Sequence, residues 1–506
     1  MKKNISAKPT QDKKKITIIG GGLSGLTAAS YLAKQGHQVT LIEKNEQLGG
    51  RARQLKTAND FIFDMGPSWY MMPEVIENIF NELGHSSSDF FQLSELKTKY
   101  RLFKDNKDPI NLVSDLQKNL DMFKKINKND LKGIQKLLKI TKSSYHLSTE
   151  KFLQRAYQSP LELLSIDSIY HGIKILSNFN PFQSYHSLIN KYIKNKTLQQ
   201  IFEFHTVFLG GNPNTTPAIY SILIAADFYK KIWYPMGGMY QLVNALESIC
   251  LKNDVKIIKG KSVDKIYIKD NQVKYINYGK KKLETDLLIS SADYAHTQLD
   301  LIDNKHREYS KDYWDKKDYS ISSILIYLGL NKKMNNLSHH NFYFQDDWNK
   351  HFETIEKTNE FPKNPNFYLS AASKTDPTVA PKGNENIFIL VPVSVRTTEK
   401  EMDKYIDYLF THIENKIGEK FQENIIYKKV YTQSDFTKDY NAHKGNALGL
   451  AHTLGQSVFL RPQMKSQKIN NMYYVGQFTQ PGVGVPTAML SGKYIKQIIE
   501  KDLNGK

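Results

Sequence analysis

At 506 residues, the chain is long enough for about two to four domains with an ample core. It is aromatic-rich (30 Tyr, 25 Phe, 4 Trp), yet no run of about 18 uninterrupted apolar residues occurs, which excludes a transmembrane helix. A single cysteine, Cys250, excludes a disulfide framework and a cysteine-rich metal site and fits a reducing cytosol. The net charge of +19 fits an anionic membrane surface or a lysine-rich solvated exterior. The lysines are spread thinly, with no long basic run flanked by a recognition motif, so no nucleic-acid partner is expected.

Residues 1–14 are polar and lysine-rich and read as a disordered leader. Met1-Lys2-Lys3 ahead of an apolar stretch resembles a signal peptide, but the stretch contains a glycine cluster and is followed by an acid-terminated strand. Ile16–Ile19 has the composition of a buried parallel strand and runs into Gly20-Gly21-Gly22-Leu23-Ser24-Gly25, which fits G-x-G-x-x-G. Gly20 permits the tight turn, Gly22 lets backbone approach a pyrophosphate, and Gly25 lets the next helix, about Leu23–Gln35, pack on the strand. A second strand, Val39–Ile42, ends at Glu43, 18 residues beyond Gly25. An acid at that spacing holds a ribose hydroxyl and disfavours a 2′-phosphate, hence NADP.

Leu48-Gly49-Gly50-Arg51-Ala52-Arg53 and Phe61–Trp69 follow, glycines and arginines suited to backbone and cationic contacts with a diphosphate. Residues 73–84 read as a helix, and Tyr100–Phe103 and Ile110–Val113 as short strands. From about 114 to 204, lysines alternate with apolar residues at helical spacing. Leu131, Ile134 and Leu138 share one face, and Lys132, Lys136 and Lys139 another, although Gly133 weakens the helix there. Such a stripe either packs a core or rests on a bilayer with lysines at the headgroups.

Leu209–Pro213 and Trp233–Met239 are sharp breaks flanking a helix at 218–228. A helix at 240–252 and strands at 255–258, 263–268, 272–278 and 287–289 come next. The last, running into Ser290-Ser291-Ala292-Asp293, reads as a later strand of the nucleotide-binding sheet, so that domain is discontinuous. Aromatic and β-branched strands at 320–330, 341–345, 366–371 and 386–394 predict a second, mostly antiparallel sheet with a helix at 399–417 beside it. Met472–Val475 is a strand ending at Gly476, and a helix from about Thr487 follows Pro486. The N-terminus of that helix suits a developing negative charge, such as a reduced flavin carries near N1.

Together these segments resemble the bacterial-type carotenoid desaturases, the phytoene desaturase group of the flavin amine-oxidase superfamily. The residues carrying the resemblance are Gly20–Gly25 with Glu43, Gly49-Gly50-Arg51, Phe63–Ser68, Leu209–Pro213, Tyr234–Met239, Ser338-His339-His340-Asn341, Asp376–Gly383, Phe459-Leu460-Arg461-Pro462, and Val475-Gly476 with Pro481–Pro486. The match spans nearly the whole chain from residue 15, and the later motifs are the more specific.

The resemblance implies non-covalent FAD and an α/β (α+β overall) fold. It has a discontinuous Rossmann-like FAD-binding domain (15–85, 233–298, 440–506), a β-sheet substrate domain (86–115, 205–232, 299–439) and a helical membrane-facing insertion (116–204). The implied cofactor-binding residues are Gly20, Gly22, Leu23, Ser24, Gly25, Glu43, Lys44, Gly50, Arg51, Pro67, Ser68, Val263, Gly476, Gly484 and Val485. The implied activity is stepwise dehydrogenation of a long isoprenoid, phytoene to lycopene or an intermediate being the first choice. Oxygen or quinone is the expected electron acceptor, and the expected place is the cytoplasmic face of the membrane, held peripherally.

A polyene precursor has no titratable group, so catalysis rests on alignment with the flavin and on a tunnel lined by Phe, Tyr, Leu and Met. Loss of the second hydrogen as a proton needs a base, or a carbocation-like intermediate stabilised by aromatic faces or a carboxylate. No metal-ligand spacing or nucleophile motif is seen. Asp293, His339 and His340 are the candidates, each with capping or sheet-edge hydrogen bonding as the alternative. On a strand only one of the two histidines would face a substrate. Family members carry an arginine and an acid in the helical segment, where Tyr185-His186-Ser187 departs from the pattern. The rival readings are a desaturase or oxygenase of another carotenoid (a diapocarotene or a hydroxylated one), an amine oxidase with a small amine pocket, and a flavin-fold escort protein without turnover.

Overall fold

In the computed structural model, the described residues are 13–505 except 106, 158, 160, 161, 163–171, 173–177, 181, 458 and 459. Most of the expected leader, part of the helical insertion, and Phe459 of the Phe459–Pro462 motif lie outside them.

The β-branched run at the start forms the strand Lys15–Ile19 at the centre of a five-stranded, all-parallel sheet. Its order is Met472–Tyr474, Leu287–Ser290, Lys15–Ile19, Gln38–Ile42, Lys256–Ile258, with Ile18 paired to Ile289 on one side and Leu41 on the other. Burial on both faces explains why these strands are apolar throughout rather than alternating. The helices Leu23–Lys34, Gln241–Lys252 and Val485–Leu503 cover one face through Leu26, Leu32, Leu246, Ile249 and Ile495. A three-stranded antiparallel sheet, Val263–Lys269, Gln272–Tyr278 and Lys281–Glu284, covers the other, packing Val263, Ile266 and Ile276 with Ile19, Ile42 and Leu288.

The second sheet has seven strands in the order Ile425–Tyr431, Ser322–Leu330, Glu385–Val393, Phe367–Ser370, His340–Tyr343, Thr98–Lys104, Lys107–Val113. It is antiparallel except where His340–Tyr343 runs beside Thr98–Lys104. Its period-2 alternation divides two cores. Ile324, Ile326, Leu328, Ile387 and Ile389 face the helix Met402–Ile417. Leu325, Tyr327, Phe342, Tyr368 and Phe388 face the aromatic side that also holds Phe61, Phe63 and Trp69.

The lysine-rich segment forms the helices Leu116–Ile126, Leu131–Leu147, Tyr185–Tyr192 and Lys196–Glu203. Of the two readings of its stripe, core packing is observed. Ile134, Leu137 and Leu138 are buried against the aromatic side, while Lys132, Lys136 and Lys139 are exposed. Gly133 does not weaken this helix but enables it, since a β-carbon there would stand 1.9 Å from the carbonyl oxygen of Tyr192. Among the described residues, no helix is long and apolar enough to cross a membrane.

Candidate functional site: a dinucleotide cradle joined to an aromatic box

The glycine loop is shaped by three different constraints. Gly20 has φ +98°, a left-handed conformation that disfavours a side chain. A β-carbon on Gly25 would come within 2.1 Å of the Gly20 carbonyl oxygen, so helix and strand pack closely only through glycine. Gly22 has ordinary extended backbone (φ −72°), and the nearest atom to a β-carbon there is Ser291 Oγ at 4.0 Å. No protein contact demands glycine at 22, so the space it leaves is the kind a bound group fills. Leu23 and Ser24 open the helix, and Ser24 Oγ lies 2.8 Å from Ser291 Oγ after the adjacent strand. Ser291 was not foreseen, although the run of small residues after Leu287–Ile289 was the signal.

Glu43 is buried at the end of the second strand. Its carboxylate accepts from Gly21 N at 2.7 Å and Asn45 N at 2.8 Å, so it is fixed at the loop's edge. Lys44, beside it, donates to Lys438 O (2.6 Å) and Asn441 Oδ1 (2.7 Å). Val263 is buried in the three-stranded sheet against Ile19 and Ile42. Gly49 bridges to Gly22, and Gly50 lies against Gly22 Cα. Arg51 donates only to carbonyl oxygens, Ala447 O at 2.7 Å and Asn446 O at 3.3 Å, and makes no ion pair among the described residues. Burial lowers the pKa of its guanidinium and Asp293 opposes this. A half-buried guanidinium beside a glycine cradle, within electrostatic reach of Asp293 but ion-paired to no carboxylate among the described residues, fits a diphosphate.

Asp293 takes the capping role. It accepts from His296 N at 3.2 Å and His443 N at 3.3 Å, and burial raises its carboxyl above the usual range. It lies close enough to Arg51 to oppose the burial penalty there, which makes it a neighbour of the cradle. The C-terminal segment closes the same region: Gly476 (φ +109°) donates its N–H to Ser491 Oγ at 2.7 Å and faces Ser24. Gly484 (φ +126°) caps the helix Val485–Leu503, which begins two residues before the expected Thr487, with Pro486 in its first turn. Arg461, also unforeseen as an organiser, is buried and donates to the carbonyls of Thr479 (3.2 Å), Gln456 (3.2 Å) and Gln477 (2.5 Å). It thereby holds the loop after Gly476.

Pro67 and Ser68 lead from the cradle to the aromatic side. Ser68 Oγ lies 2.7 Å from the Tyr368 hydroxyl, which lies 2.7 Å from His340 Nδ1. The His340 ring stacks on Trp69, with centroids 4.3 Å apart at 11°. Phe208, Tyr100, Phe342 and Phe204 surround Trp69 at 5.1–6.3 Å. The expectation that the two histidines point to opposite sides is corrected. The strand starts at His340, so His339 lies in the preceding bend, and the rings meet at 4.4 Å. His339 Nδ1 bonds Thr375 Oγ1 at 2.8 Å, and Nε2 of both rings is buried without a partner. Burial pushes His339 down to about 3 and His340 well below its usual value, so both are neutral at pH 7.

Behind Tyr100 is a buried charge cluster that the sequence did not reveal. Lys99 Nζ lies 2.6 Å from Asp227 Oδ1, with His205 Nε2 (3.1 Å) and the Tyr100 hydroxyl (3.3 Å) on Oδ2. The carboxylate is held below its usual pKa by Lys99 and His205 against the opposing cost of burial.

Parallel sheet, glycine cradle and closing C-terminal helix together define a dinucleotide-binding fold, and likeness to known flavoenzymes makes it a flavin-dependent oxidoreductase with FAD as its cofactor. The model of flavin-containing amine oxidoreductases matches residues 23–495. The chain is 34% identical over 500 residues to the carotenoid 3,4-desaturase of Haloarcula japonica, covering 96% of this chain and 98% of that protein. It is 30% identical over 501 residues to a 4,4′-diapophytoene desaturase (4,4′-diaponeurosporene-forming) of Staphylococcus haemolyticus, covering 96% and 99%. The crystal structure of an oxidoreductase from Methanosarcina mazei shares the fold, with a TM-score of 0.62 at 16% identity, covering 96% of this chain and 100% of that one. The chain thus belongs to the flavin-containing amine oxidoreductases, in their carotenoid desaturase branch.

Proposed function

We propose that the protein desaturates a long acyclic carotenoid, using FAD as the hydride acceptor. The observation that supports this is that Gly66 lies against Arg51 O of the cradle and the chain runs on through Pro67-Ser68 to Trp69, which is ringed by aromatic side chains. FAD supplies the oxidising ring. Gly20, Gly22, Leu23, Ser24, Gly25, Gly50 and Arg51 would hold its diphosphate, and Glu43 its ribose. Lys44 and Val263 would flank the adenosine part, and Pro67, Ser68, Gly476, Gly484 and Val485 would flank the ring. The box excludes water and aligns an apolar chain, the contribution open to a protein whose substrate has nothing to titrate.

Phytoene is the first substrate to test. The names of the two relatives favour 4,4′-diapophytoene and the 3,4-bond of a carotenoid as the second reading. Expression in bacteria making phytoene, and in bacteria making 4,4′-diapophytoene, followed by pigment chromatography, decides between them. New visible bands in one host assign the substrate, and no change in either refutes desaturation of both. An oxygen or quinone acceptor and peripheral contact with the cytoplasmic face of a membrane complete the reading. The charge of +19 and the exposed Phe182, Leu460 and Leu454 support that contact. Vesicle flotation tests it: recovery of the protein only in the unbound fraction with anionic vesicles refutes it.

A further inference from the structure

Desaturation removes one hydrogen with both electrons of its C–H bond, which FAD accepts, and the neighbouring hydrogen as a proton, whose C–H electron pair becomes the new double bond. The second event needs a base inside an apolar box. Buried polar nitrogens in folded proteins are nearly always hydrogen-bonded. Two exceptions, Nε2 of His339 and Nε2 of His340, occur side by side here. They differ in what stands behind them. His339 Nδ1 ends on Thr375 Oγ1, whereas His340 Nδ1 continues through the Tyr368 hydroxyl to Ser68 Oγ in 2.7 Å steps, two residues from Gly66, which lies against Arg51 O. His340 also shares the sheet face of Phe342 and lies flat on Trp69, among the rings that would stabilise a cationic substrate carbon.

Building on the desaturase reading, we propose that His340 Nε2 accepts the proton lost by the carotenoid, and that Tyr368 and Ser68 carry it out of the box. In the resting protein the imidazole is neutral with its hydrogen on Nδ1, donated to Tyr368 Oη, while the Tyr368 O–H is donated to Ser68 Oγ. The lone pair of Nε2 is then met by no donor among the described residues. As the substrate C–H bond breaks, an Nε2–H bond forms. The Nδ1 hydrogen passes to Tyr368 as the Tyr368 hydrogen passes to Ser68, and the Ser68 hydrogen leaves toward the cradle. A desolvated imidazole is a weak base, but it is unprotonated at pH 7, and a carbon next to a developing cation is acidic enough to need nothing stronger. Among the described residues, His339 and the Tyr368 hydroxyl contact His340, and Ser68 stands behind Tyr368.

The test has two arms. In flavin-free protein carrying 15N-histidine, NMR should show His340 neutral with hydrogen on Nδ1 at pH 7, and Tyr368→Phe should move that hydrogen to Nε2. Hydrogen on Nε2 in the wild-type protein overturns the proposal. With FAD-loaded protein and phytoene in phosphatidylglycerol vesicles, His340→Phe keeps the stacked ring and should lower kcat by at least about 100-fold, with KM and flavin content unchanged. An unaltered kcat also overturns it. Should His340→Phe not fold, Tyr368→Phe decides, with kcat expected to fall at least about 10-fold and an unchanged value counting against the relay. Should the wild-type protein leave phytoene and 4,4′-diapophytoene untouched, the desaturase reading fails, while the NMR arm still decides the state of His340.

Discussion

A β-carbon placed on Gly25 would lie 2.1 Å from the carbonyl oxygen of Gly20, whereas one on Gly22, three residues earlier, would meet nothing nearer than Ser291 Oγ at 4.0 Å. The first glycine is required by the fold; the second leaves open space, which fits the proposed diphosphate. Gly25→Ala is therefore expected to lower the unfolding free energy by about 1–3 kcal/mol, as the helix is forced off the strand. Gly22→Val should change the stability of the flavin-free protein by less than about 1 kcal/mol yet abolish FAD loading. Denaturant titration and the flavin absorbance of purified protein check both. Normal flavin content in Gly22→Val would contradict the placement of the diphosphate.

The pair Lys99–Asp227 is entirely buried. Replacing Asp227 with Leu leaves an ammonium without its counterion and should cost about 3–5 kcal/mol, whereas Lys99→Met with Asp227→Leu should recover most of that loss. Unfolding in guanidinium reads the difference. Equal destabilisation by the single and double variants would show that the pair is not coupled.

His351 is buried on the helix Trp348–Lys357 with Nδ1 unpartnered, and burial pushes it down to about 4. Its folded value is below its unfolded one of about 6.5, so the unfolded chain binds more protons between these limits. The stability that neutral His351 contributes is complete above about pH 6.5 and is lost as pH falls through about 4, a difference on the order of 3 kcal/mol. His351→Phe should flatten the fall in unfolding free energy between pH 6.5 and 4. An unchanged slope would assign that limb to other groups.

Gly133→Ala pits helix propensity against packing. Alanine favours an isolated helix by about 1 kcal/mol, but here its β-carbon would meet Tyr192 O at 1.9 Å. A net loss of about 1–3 kcal/mol is expected by denaturant titration, and a gain would show that the two helices part without cost.

The same position shows where sequence reading reaches its limit. Strand, glycine loop, helix, strand and acid are local in sequence, so their order reveals a nucleotide cradle, and the aromatic and β-branched runs at 320–330 and 386–394 reveal strands of a second sheet. Gly133 answers to a carbonyl 59 residues away, which no local propensity encodes. Strand Ile425–Tyr431 lies at a sheet edge with half-exposed side chains, so its apolar pattern is weak. Ser291, Arg461 and Tyr368 act through partners distant in the chain. His339 and His340 misled because the strand register begins between them, which only the pairing of His340 with Ser370 settles.

The parallel sheet takes its edge strand from Met472–Tyr474, and the helix Val485–Leu503 lies directly on the glycine-loop helix through Gly492, where a β-carbon would meet Ser24 O at 2.6 Å. During synthesis the glycine loop emerges almost at once, yet its lid is not made until residue 503 has left the ribosome. A chain halted before residue 470 would lack both the edge strand and that helix, so it is expected to retain no FAD, which the flavin absorbance of the truncated protein checks.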